Sequence, residues 1–93
     1  MIKVKAKIRL YENGRKSAFK TGYRPLFNFI KEMKTSGQIT LYDRIDFAPG
    51  KEGTVEIKFL HEEFLGQTFD VGTMFTFGEG IGALGEGVIL ELI

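Results

Sequence analysis

The chain's one histidine, His61, stands beside two carboxylates, Glu62 and Glu63, and that trio invites a metal or acid–base reading. Three adjacent residues diverge rather than converge on an ion, so the run is poor zinc geometry and reads as a structural loop. There is no cysteine to serve as nucleophile, thiolate ligand or disulfide partner. Ser17 and Ser36 lack the G-x-S-x-G frame that activates a serine. Gly80-Ile81-Gly82-Ala83-Leu84-Gly85 spells G-x-G-x-x-G behind an apolar run, Thr73 to Phe77. A dinucleotide site also needs a following helix and an acidic residue about 20 positions on. The chain runs instead into Gly87-Val88-Ile89-Leu90-Glu91-Leu92 and ends at Ile93. These glycines predict a tight hairpin and close strand approach. No catalytic residue, cofactor or metal ligand is assigned.

The strongest non-catalytic signal is the stripe Lys3, Lys5, Lys7 and Arg9. At strand rise these cations stand about 6.8 Å apart on one face, close to the spacing of successive backbone phosphates. The alternative is a solvated face that resists edge pairing, partly neutralised by Glu86 and Glu91 if the last strand lies alongside. Net charge is only +1, yet residues 1–35 hold ten basic side chains against two acidic, and residues 36–93 hold three against ten. In a closed sheet the two halves interleave, so compensation between neighbouring strands is expected.

The elements that must position these residues are strands. Ile2, Val4, Ala6, Ile8 and Leu10 alternate with the cations, a period of two that sets one face in a core and one in water. Asn13-Gly14 closes the run. A second strand is expected from Tyr23 to Phe29, with Tyr23, Pro25, Phe27 and Phe29 on one side and Pro25 at the strand start or an edge. Thr35-Ser36-Gly37 predicts a turn before a short strand, Gln38 to Leu41. Pro49-Gly50 and Glu52-Gly53 mark another turn region before Thr54 to Leu60, whose Val55, Ile57 and Phe59 face inward. Residues 61–72 read as a loop with one helical turn at Glu62 to Leu65. Thr73 to Phe77 and Gly85 to Leu92 complete six strands, with Val88 and Leu90 assigned to the core. Periodicity thus points to a small antiparallel barrel or sandwich.

Ninety-three residues make one domain, 1–93, and 43% apolar residues with nine Phe suffice for one core. The start has no continuous apolar segment of the signal-peptide kind, and no run approaches the ~20 residues that span a bilayer. A cytoplasmic protein without membrane contact is expected.

Gly22-Tyr23-Arg24-Pro25-Leu26-Phe27-Asn28-Phe29, Thr35-Ser36-Gly37-Gln38-Ile39, Ala48-Pro49-Gly50, Leu60-His61 and Glu79-Gly80 before Gly85-Glu86-Gly87-Val88 recur in a telling order. Over roughly Lys5 to Leu92 they resemble the third domain of elongation factor Tu, here without its GTPase domain or middle barrel. The resemblance implies an all-β fold, a closed six-stranded antiparallel barrel. With no G-x-x-x-x-G-K-S/T loop in the chain, GTP binding by the family's mechanism is not expected. In that family, loops of the domain touch the T-stem backbone of aminoacyl-tRNA. Glu79-Gly80 matches its E-G pair, and Thr35 or Ser36 takes the place of its loop threonine. Leu26 stands where glutamine is usual, and Gly78 and Gly82 replace flanking arginines, which weakens RNA contact.

Two functions fit these residues. The first is a non-enzymatic, translation-related protein-interaction module, with Tyr23, Arg24 and Leu26 among the contacts. The second is an RNA-binding barrel contacting a tRNA-like stem through Lys3, Lys5, Lys7 and Arg9, and through Thr35 or Ser36 and Glu79-Gly80.

Overall fold

The alternating start forms strand β1 (Ile2–Leu10), with Val4, Ala6, Ile8 and Leu10 all buried. The computed structural model describes residues 2–30 and 33–93. Met1, and Lys31 and Glu32 from the charge count above, lie outside them. The remaining strands are β2 (Phe19–Lys20), β3 (Leu26–Ile30), β4 (Met33–Leu41), β5 (Asp46–Phe47), β6 (Glu52–Phe59), β7 (Met74–Gly78) and β8 (Gly85–Leu92). Six of them close a barrel in the order β1-β6-β4-β3-β7-β8, and every ladder is antiparallel. This is the expected fold. Pro25 immediately precedes β3, where its missing N–H costs no ladder bond. The expected helical turn is a short 3-10 turn at Glu62–Phe64.

Aromatic rings fill the interior. Phe27 is fully buried, with the rings of Phe59, Phe75 and Phe77 at 5.1, 5.6 and 5.8 Å. Small pieces plug the two ends. At one, β2 and β5 pair as a two-stranded sheet whose Phe19 and Phe47 stack at 5.2 Å. At the other, the 60–73 connection brings in buried Leu65, and Phe69 meets Phe29 edge-on at 5.1 Å.

Three expectations need correction. Thr35-Ser36-Gly37 is no turn but the middle of β4, which runs through all nine residues. Gly37 serves the core, because a Cβ there would lie 2.9 Å from both the Phe27 and Phe59 rings. Glu52-Gly53 likewise belongs to β6 rather than to the turn before it. Val88 and Leu90 do not face the core; Ile89 does, at 1% exposure. The inward positions of β8 are Gly85, Gly87 and Ile89, the two glycines making room for the Phe77 and Phe75 rings. A bulge then changes the register, as Lys5 pairs with Glu91 but Ala6 with Ile89.

One inward side chain is out of place chemically. Thr35 is 3% exposed, and its hydroxyl has no hydrogen-bond partner among the described residues. A buried, unpaired hydroxyl carries a desolvation cost, so Thr35→Val is expected to raise stability by about 1–3 kcal/mol in urea unfolding. A loss of stability would mean that the hydroxyl has a partner.

Candidate interaction surface

Register decides which candidate residues meet. Leu26 pairs with Ser36 on one side and with Gly78 on the other, so β3 joins Ser36 to the loop carrying Glu79 and Gly80. Three contacts hold that loop. Glu79 accepts hydrogen bonds from the Tyr23 hydroxyl at 2.5 Å and from Arg15 Nε at 2.9 Å, and the Lys34 ammonium donates to the Gly80 carbonyl at 3.0 Å. Arg15 also lies over the Tyr23 ring, 5.1 Å from its centroid, and Tyr23 stacks on Phe19 at 4.4 Å. Positive φ at Gly80 and Gly82 lets the hairpin turn, as the glycine spacing predicts. The tip between them, Ile81, is 98% exposed.

Nothing in the sequence singles out Arg15, since its partner Glu79 lies 64 residues away. The three groups tune one another. Hydrogen bonds from Tyr23 and then Arg15 hold the Glu79 carboxyl below its ordinary value. Burial, then the bond to Glu79, pushes the Tyr23 phenol well up. Because Glu79 titrates lower when folded, its contribution is fully present above the ordinary Glu value and disappears as pH falls through the depressed one. Glu79→Gln should therefore be less stable than wild type at neutral pH, with the gap closing below the usual carboxylate range. A gap that stays constant from pH 7 to about pH 2 would remove the carboxylate from this clasp.

The lysine stripe sits elsewhere. In the closed order, β1 and β3 are separated by two strands in either direction, so the stripe and the Leu26–Glu79 group lie on opposite sides of the barrel. Much of the stripe is matched by acids. Lys5 faces Glu56 on β6 and Glu91 on β8, with an ion pair to Glu91 at 3.6 Å. Lys7 pairs with Glu52 at 3.5 Å, and Arg9 lies between Glu52 and Glu86. Exposed pairs like these add little stability but do cancel the field that would attract phosphate. Lys3 differs, because its β6 neighbour is Lys58.

Arg24 and Ser36 fall in a third place. Arg24 lies between the Tyr23–Ile39 bridge and the Leu26–Ser36 pair, which brings it beside Gln38. Gln38 pairs with Lys58 and Lys58 with Lys3, giving the row Arg24, Gln38, Lys58, Lys3 around the barrel wall. Thr35, by contrast, presents no side-chain surface to any partner.

The outward turn of Val88 and Leu90 creates an apolar face that sequence reasoning missed. Met74, 76% exposed, pairs with Val88, and Leu90 follows on the same strand at 42%. The Gly72 amide donates to the Ile89 carbonyl, which sets exposed Val71 alongside. His61 sits 3.6 Å from Glu63, and no group of three or more metal-ligating side chains occurs among the described residues. Among them, too, no helix is long and apolar enough to cross a membrane. Compared with protein-family models and with curated proteins, the chain matches none.

Proposed function

We propose that this barrel is a non-enzymatic protein-interaction module of the elongation factor Tu third-domain type, acting in a translation-related assembly in the cytoplasm and binding no GTP. The observation that carries the reading is the outward apolar face of Val71, Met74, Val88 and Leu90. Val71, Met74 and Leu90 are exposed and Val88 is half-buried, and apolar side chains grouped outward in this way suit a surface that meets another protein. The clasped hairpin with Ile81 at its tip adds a preformed apolar knob, whose ordering cost is met before any partner arrives. The family's RNA-stem contact has less support, because acids offset Lys5, Lys7 and Arg9, and Glu79 engages Arg15.

The test is affinity capture from native-cell lysate with three baits: wild type, Met74→Lys/Leu90→Lys, and Lys5→Ala/Lys7→Ala. A protein held by wild type and by the lysine variant, but lost with the apolar-face variant, is the expected result. A tRNA retained at about 0.15 M salt and lost only with the lysine variant would give the function to RNA. In that case the log–log salt slope should drop by about 2 in the lysine variant.

A further inference from the structure

Ser36, Gly37 and Gln38 on β4, Lys58 and Leu60 at the end of β6, and Arg24 before β3 line a depression of about 70 Å³. Its position follows from register. Gly37 pairs with Phe59 and Gln38 with Lys58, so Ser36 comes level with Leu60, and Gly37, whose missing side chain would point inward at the Phe27 and Phe59 rings, lends only its backbone to the floor. Arg24 closes the side beyond Gln38. Ser36, Gln38 and Lys58 are half-buried, while Arg24 is exposed.

The chemistry of this hollow is one-sided. Its two ionic side chains are both cations, and among the described residues neither Arg24 nor Lys58 has a carboxylate within ion-pair reach. The next cation in the row, Lys3, adds to the same field. Two other cations of β1 are met by acids instead: Lys5 by Glu91 and Lys7 by Glu52. Ser36 and Gln38 supply neutral donors between the charges. A volume of about 70 Å³ leaves room for a few waters or one small oxyanion. Leu60, 49% exposed, provides an apolar wall beside it.

We propose that this depression receives the C-terminal carboxylate of a protein partner whose last side chain is apolar. The Arg24 fork and the Lys58 ammonium would take the carboxylate oxygens, Ser36 and Gln38 the remaining acceptor sites, and Leu60 the terminal side chain. This deepens the protein-partner reading and rests on it.

The test follows the backbone amide shifts of Ser36, Gly37, Gln38 and Leu60 during titration with an acetylated tetrapeptide ending in a free leucine carboxylate. The same peptide as its C-terminal amide, inorganic phosphate and a short RNA duplex serve as comparisons. Expected are saturable shifts at those amides with the free acid and binding weaker by about tenfold or more with the amide. Arg24→Gln and Lys58→Gln should each weaken the free acid by a similar factor, while Lys7→Gln leaves it unchanged. Equal binding of acid and amide would overturn the proposal. So would phosphate or RNA binding at these amides more tightly than the peptide acid. The two readings fail separately. A captured partner that persists with Arg24→Gln/Lys58→Gln bait removes this site and leaves the interaction module. Peptide-acid binding without any protein captured leaves the site and removes the module.

Discussion

Phe27→Ala is expected to lose about 3–5 kcal/mol of unfolding free energy, a large part of the 5–15 kcal/mol available to a small domain. Phe27 is fully buried, and its ring meets Phe59 on β6 and Phe75 and Phe77 on β7, so one side chain joins three walls of the barrel. Those neighbours belong to a closed cylinder of paired strands and have little freedom to collapse into the space left behind. Phe29 gives the internal comparison. It touches Phe59, Phe69 and Phe75 but is only half-buried, so Phe29→Ala should cost visibly less. Urea unfolding followed by circular dichroism measures both. Equal losses, or a Phe27→Ala protein as stable as wild type, would contradict this ring cluster as the centre of the core.

A comparable loss should come from adding one methyl group. In Gly85→Ala the new Cβ would overlap the Phe77 ring and stand 2.6 Å from the Arg9 carbonyl oxygen. A ring can rotate away, but the Arg9 carbonyl belongs to the β1–β8 ladder, so relief requires moving the strands apart. Overpacking typically costs about 1–3 kcal/mol, and a clash with backbone at a ladder position should reach the top of that range or exceed it. At Gly37 the crowding atoms are all ring carbons, of Phe27 and Phe59 at 2.9 Å. Gly37→Ala should therefore be the milder change. Thermal melts of the two variants would settle the order, and a Gly85→Ala protein that outlasts Gly37→Ala would contradict it.

These residues also mark where the sequence is legible. Strands β1 and β8 are readable end to end because alternation or flanking glycines bound them. Inside β8 the phase is not readable. Val88, Ile89 and Leu90 are all apolar, and the inward positions before them are glycines, which carry no hydrophobic signal. Thr35-Ser36-Gly37 misleads for a related reason, since turn residues and a strand glycine tight against two rings look alike in one dimension. The two-residue strands β2 and β5 are too short to show a period. The candidate surface was legible residue by residue but not as an arrangement. Arg24, Gln38, Lys58 and Lys3 belong to four neighbouring segments, and only their register aligns them. Arg15 and Glu79 meet only because the loops bearing them share one end of the barrel.

The seam between β1 and β8 has a kinetic meaning. Val4 pairs with Leu92, and the Ile93 amide donates to the Lys3 carbonyl, so the first and last strands are hydrogen-bonded neighbours. During synthesis β1 emerges first, yet one of its two edges stays bare until β8 has been made. Lysines along β1 then act as gatekeepers for a nascent strand, keeping that waiting edge from pairing with another chain before its acidic mate arrives. Closure joins β1 to β8 across all the other barrel strands, so its loop entropy is met late and should make barrel completion the slow step of folding.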